Sequence, residues 1–172
     1  MGKILGAALV LAACVGYAGS LTEKQKSHRD ILCSLIQMIG LLAEEIRYER
    51  LPMAEAFAKL HRKYHGAVGQ ILRQMVQQLS GTEYADLETV WESCFRDNKR
   101  ELMLTAEELD IALEVGKNLG YLDAGAQVNH LRACGQRLEQ KLDEVQRELE
   151  QKQRIYRTLA VAAGAIVILV LL

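Results

Sequence analysis

An all-α fold is what this sequence predicts, and three observations predict it. The 172-residue chain holds a single proline, so the frequent turn breakers of a β-sandwich are missing. Aromatic residues make up only 5% of it and β-branched runs are few, which removes the usual strand formers. Through the middle of the chain, apolar residues recur three and four apart, the period of an amphipathic helix. Lys and Arg number 21 against 22 Asp and Glu, a formal net charge of -1, whereas a dedicated nucleic-acid binder needs a strongly basic face. Cys14, Cys33, Cys94 and Cys134 stand far apart, with neither zinc-ligand spacing nor the density of a disulfide framework. The length suits one domain with attached segments, and the composition argues against an enzyme.

The chain opens with an uncharged apolar run from Ile4 to Leu21. At 1.5 Å per residue, about 18 residues reach roughly 27 Å, close to the ~30 Å hydrocarbon layer of a bilayer. A transmembrane helix is therefore predicted over 4–21. A second uncharged run, Thr158 to Leu172, closes the chain; Ile155 and Tyr156 extend it, and Arg157 is long enough to snorkel to the interface. This predicts another transmembrane helix over 155–172. Lys24, Lys26 and Arg29 follow the first span, while Arg147, Lys152, Arg154 and Arg157 precede the second. The positive-inside rule then places 22–154 in the cytoplasm and both termini outside. Two other readings of the start compete. Gly16-Tyr17-Ala18 would serve as a signal-cleavage site, and Leu11-Ala12-Ala13-Cys14 looks like a lipobox that would make Cys14 a lipidated first residue. Because apolar residues continue past Cys14 and basic residues follow Leu21, a retained anchor is favoured. Ala8, Ala12, Gly16 and Ser20 lie four apart, as do Ala160 and Gly164. Such small-residue spacing lets membrane helices approach closely, either within one chain, between copies in a homo-oligomer, or against another membrane protein.

Between the anchors the chain reads as helices joined by short turns. The first soluble helix runs from about Glu23 to Arg50, with Leu32, Leu35, Ile36, Ile39, Leu42, Ala43 and Ile46 on one face. Pro52 stops it, because the residue before proline is pushed out of the helical region. The same proline suits the first turn of a second helix, Met53 to about Lys63. Gly66 and Gly69 mark a break before a short helix from Gln70 to Leu79, which Ser80-Gly81 ends. Another helix spans about Tyr84 to Lys99, burying Leu87, Val90, Trp91, Cys94 and Phe95. Thr105-Ala106-Glu107-Glu108 is a capping box; its helix carries Leu109, Ala112, Leu113 and Val115 inward and closes at Leu119-Gly120. Asp123 is placed to cap the last helix, which runs from Ala124 toward the membrane. Val128, Leu131, Leu138, Leu142, Val145, Leu149 and Tyr156 follow a three-four alternation there, with Gly135 and Lys152 off the pattern. That is a narrow coiled-coil-like seam. Its partner is the first soluble helix, in an antiparallel stalk that carries the smaller helices.

Chemistry is sparse. His61 and His65 are four apart on the basic stretch His61-Arg62-Lys63-Tyr64-His65, but a zinc site needs further ligands, so a solvated basic face is the reading. Glu44 and Glu45 beside Arg47 and Glu49 read as helix-surface salt links at i,i+3 or i,i+4. Cys33, Cys94 and Cys134 read as small buried apolar residues, and the sequence contains no GxxxxGK[ST] phosphate loop. No catalytic residue, metal ligand or cofactor site is assigned.

Several pieces together resemble the stage III sporulation protein AB family. Leu5-Gly6-Ala7 stands in the first apolar run, and Glu45-Ile46-Arg47-Tyr48 precedes Pro52 as E-I-x-Y precedes a proline in that family. Val90-Trp91 falls where the family tends to carry tryptophan. Gly116-Lys117-Asn118-Leu119-Gly120 with Asp123 and Gln127 is similar to its G-x-x-L-G-x-x-D-x-x-x-Q, and Ala163-Gly164 with an aliphatic run ends the chain. Leu51-Pro52-Met53 replaces the expected Thr-Pro-Leu, a mild change at a helix start. The resemblance implies a non-enzymatic membrane component of the complex joining mother cell and forespore. It also implies a cytoplasmic part similar to the helical domain of type II secretion F proteins. Such a platform couples a cytosolic ATPase to a channel assembly with other membrane proteins. By that likeness the contact residues are Gly120, Asp123 and Gln127; the plainer reading is that they only build the turn between the last two helices. A lipoprotein or secreted helical domain anchored at Cys14 is the alternative, and a membrane-bound sensor with a signalling stalk is a third reading.

Overall fold

The computed structural model describes the backbone of residues 2–48, 52–81, 86–117, 119–120 and 123–171, and the side chains of these except 2–22, 81, 157, 160–161 and 163–171. Among the described residues the chain is all helix, without strands: α1 (Gly2–Tyr48), α2 (Met53–His61), α3 (Gly66–Gly81), α4 (Leu87–Asp97), α5 (Lys99–Leu102), α6 (Ala106–Gly116) and α7 (Ala124–Leu171). It divides into two compact units, Met1–Arg29 with Asp143–Leu172, and Asp30–Leu142. The expected first anchor and first soluble helix are one element, α1, because no proline or cluster of glycines interrupts that stretch. Among the described side chains no helix is long and apolar enough to cross a membrane. The anchors expected over 4–21 and 155–172, and the small-residue patterns within them, lie largely outside those side chains.

The Asp30–Leu142 unit has one core. Leu32, Leu35, Met38, Ile39, Leu42, Ala43 and Ile46 of α1 are buried in it, with Val128, Leu131, Cys134 and Leu138 of α7. Ile36, expected inside, only borders the core, and Met38 takes the inward place instead. In this unit α1 and α7 run antiparallel. Gly135 lies across from Ile39, and Arg132 reaches Glu44, so positions rise along one helix as they fall along the other. Each buried aliphatic side chain stabilises the unit by about 1.5–3 kcal/mol relative to exposure, which makes this face the main reason the two helices stay paired.

The small helices fill the rest of the core. Phe57, Trp91 and Phe95 form its aromatic centre, with ring centroids 6.0 Å apart for Phe57–Trp91 and 5.0 Å for Trp91–Phe95. The Trp91 Nε1–H donates to the Ala112 carbonyl at 2.8 Å, so the indole buries its body without orphaning its polar edge. Gly116 faces the same ring, and a Cβ there would run into the Trp91 side chain. The Thr105–Glu108 capping box is formed in both directions. Ile111 joins Leu109, Ala112 and Val115 inside, while Leu113, expected inside, is only partly buried.

Helix ends differ from the sequence reading where side chains cap. The Asp86 carboxylate accepts the Thr89 N–H at 3.2 Å, so α4 starts at Leu87. The Asn98 amide donates to the Cys94 carbonyl at 2.7 Å, and the helix stops before it instead of running to Lys99. Met103, in the left-handed region at φ 49, separates α5 from α6. Of the two glycines taken as a break, only Gly66 turns the chain, at φ +64; Gly69 sits inside α3. It is small for another reason: a Cβ would collide with the Tyr64 carbonyl. The lesson is that the second glycine marks a close approach, not an end.

In the unit of Met1–Arg29 with Asp143–Leu172, Leu149 is buried and Lys152 bridges Glu148 one turn back at 3.6 Å. Further along, Ile155 and Leu159 are 57% and 59% exposed.

Candidate functional site

The residues expected to make contact lie between α6 and α7. Helix α6 closes at Gly116, three positions before the expected end, because Lys117 adopts extended backbone at φ -64 and ψ 133. The chain turns back at Gly120, whose φ of +88 is left-handed backbone that favours glycine. Asp123 then caps α7: its Oδ1 accepts the Ala126 N–H at 3.0 Å, and its carbonyl accepts the Gln127 N–H at 3.0 Å. Gly120 and Asp123 are exposed; Gln127 is buried. Gly120 and Asp123 therefore have structural tasks in the turn, as left-handed geometry and capping require.

What the sequence does not disclose is what this turn stands beside. Arg47, in the last turn of α1, shares a hollow of about 320 Å³ with Ala124, Gly125, Val128, Asn129 and Arg132 at the start of α7. Arg47 at the end of α1 and the first turns of α7, far apart in the chain, thus meet within the Asp30–Leu142 unit. Arg132 Nη2 donates to Glu44 Oε1 at 3.2 Å on the wall of the hollow. The Arg47 guanidinium lies 5.3 Å from the centre of the Tyr48 ring, and Tyr48 is 69% exposed. A large exposed phenol beside a guanidinium group is the residue mix enriched in protein–protein contacts.

The remaining candidates take other places. Glu44 and Glu45 do not pair within their own helix: Glu44 reaches α7, and Glu45, only 8% exposed, meets Lys59 of α2 at 2.8 Å. The reason for Glu45 is that no basic residue stands three or four positions from it, those places being Leu41, Leu42, Tyr48 and Glu49. Glu49 lies outside the described residues. His61 Nδ1 is 3.1 Å from the Gly69 carbonyl, and His65 is exposed. Among the described residues no His, Cys, Asp and Glu side chains converge as a metal site would require. Cys94 and Cys134 are buried, Cys33 partly so, and all are free thiols. Burial pushes the thiols of Cys94 and Cys134 above the ordinary range; Asp97 adds to the first, and Glu114 to the second. Two ion pairs invisible in the sequence tie α7 to α6, Arg137 with Glu114 and Lys141 with Glu107.

The sequence profile of the family described as Stage III sporulation protein AB matches residues 3–172. The chain belongs to this family. A curated member from Bacillus subtilis (strain 168), named stage III sporulation protein AB, is 24% identical over 175 residues, covering 99% of each chain. A solved structure of a stage III sporulation protein AB superimposes with a TM-score of 0.67 at 19% identity, over 72% of this chain and 97% of that one. Membership in the stage III sporulation protein AB family makes the chain a sporulation protein, and the superposition places its helical fold with that of the family.

Proposed function

We propose that this member of the family is a two-pass membrane component of the sporulation complex linking mother cell and forespore. Residues 4–21 and 155–172 cross the mother-cell membrane around the forespore, and 22–154 lie on its cytoplasmic side. The protein performs no catalysis of its own. It docks a cytosolic secretion-type ATPase of the same complex and passes the work of that enzyme to a channel built with other membrane proteins. Anchoring at both ends is supported by the uncharged runs and their basic flanks. The exposed Ile155 and Leu159 lead into the second run, as side chains entering lipid would. An antiparallel stalk, in which the seam through Val145 and Leu149 continues the α1–α7 pairing, connects anchors and bundle in this reading.

The observation that carries the docking role is the hollow at which Arg47, with the Tyr48 ring beside it, meets the start of α7. In this reading Asp123 caps the turn of α7 that lines it, Gly120 and Gln127 flank that turn in sequence, and Arg47 with its neighbour Tyr48 supplies the contact. Co-purification of the full-length protein in detergent with the ATPase tests this. R47E/Y48A is expected to weaken capture by at least about tenfold, as loss of an aromatic and an arginine anchor does. Undiminished capture by that variant would remove the hollow from the docking role.

A further inference from the structure

Between Glu55 and Glu83 the chain contains no Asp or Glu, although acidic residues outnumber basic ones in the whole sequence. Over the same stretch stand Lys59, His61, Arg62, Lys63, His65 and Arg73. The structure folds this stretch into α2, α3 and the turn between them, around a hollow of about 500 Å³. Its lining includes His65, Arg73, Gln70, Gln77 and Gln74, whose Oε1 accepts the Asn98 amide at 2.6 Å. Its floor is fixed: Gly66 turns the chain at φ +64, Gly69 lets α3 press against the Tyr64 carbonyl, and His61 Nδ1 is held 3.1 Å from the Gly69 carbonyl. Arg62, Lys63, His65, Gln70, Arg73 and Gln77 are all exposed.

We infer that this hollow docks an acidic polypeptide segment of a partner protein. Charge selects the sign of the occupant: a basic surface with no carboxylate on its own stretch attracts and orients an acidic one. The glutamines select its class. A polypeptide offers both N–H and C=O groups, and a glutamine amide, which donates and accepts, can answer both. The site is remote in sequence from the 45–48 and 120–127 segments and stands whether or not those dock the ATPase.

The test uses the full-length protein in detergent and a fluorescent poly-glutamate peptide, followed by anisotropy. The wild-type chain is expected to bind, and H65E/R73E to bind on the order of tenfold more weakly. K99E, a charge reversal at exposed Lys99 on α5, is expected to bind as the wild type. Q70A/Q77A, which leaves the charge unchanged, is expected to weaken binding several-fold, and it reads the hollow even if the charge-reversed variant misfolds. No binding by the wild type, equal weakening in K99E, or an unchanged Q70A/Q77A overturns the inference. So does an oligonucleotide or inorganic phosphate that displaces the peptide at the same ionic strength as readily as unlabelled poly-glutamate does.

Discussion

Glycines with similar sequence settings carry opposite constraints. Gly116 and Gly135 both lie within helices, yet a Cβ at Gly116 would strike the Trp91 ring, whereas one at Gly135 would rest 4.0 Å from Ile39 Cγ2, an ordinary contact. Gly116→Ala is therefore expected to destabilise the protein by about 1–3 kcal/mol through overpacking. Gly135→Ala should stabilise it by roughly 0.4–1 kcal/mol, since alanine costs the helix less entropy. Thermal unfolding of the two variants in one detergent checks both signs. The thiols give a second prediction at this scale. Burial raises Cys94 and Cys134 in the fold, so above about pH 8.5 the unfolded chain loses their protons first. The folded state then binds more protons than the unfolded one, and stability falls as pH rises through that window. Denaturation midpoints measured over this range should fall less steeply in C94A/C134A; an unchanged slope would mean that these thiols do not contribute.

At the scale of the element, the Thr105–Glu108 box is the clearest local signal to become geometry, with both reciprocal hydrogen bonds present. Thr105→Ala is expected to cost about 1 kcal/mol, read as a lowered urea midpoint. Periodicity made α1, α4 and α7 legible, because three-four spacing follows directly from which face is buried. Boundaries were less legible, since Asp86 and Asn98 set the ends of α4 through side-chain bonds that any Asp or Asn nearby could have made. The candidate site was half legible. The turn residues Gly120 and Asp123 announced their backbone roles, but the pairing of Arg47 with the start of α7 depends on a contact between segments far apart in the chain. No local pattern encodes that, just as none encodes the reach of Glu44 to Arg132.

For the whole molecule, topology is the deciding property. A reporter active only in the cytoplasm, inserted after Arg100, is expected to be active, while an impermeant label reaches both termini. An inactive reporter would abolish ATPase docking and bring forward the lipoprotein anchored at Cys14. The order of elements, with the antiparallel α1–α7 pair bracketing α2 to α6, brings both chain ends of the Asp30–Leu142 unit to one side of it. That arrangement suits a domain held by two anchors.

One feature of α3 bears on how such a protein can vary over generations. Where Gly69 meets the Tyr64 carbonyl, backbone touches backbone, so no choice of side chain nearby can make room for a methyl group. A saturation library at position 69 should return glycine almost alone. Positions 65, 70, 73 and 77, all pointing into solvent around the same hollow, should accept many residues without loss of folding. The shape of the hollow is thereby inherited as a fixed form while its preference drifts freely, so that lineages can change partners without rebuilding the bundle.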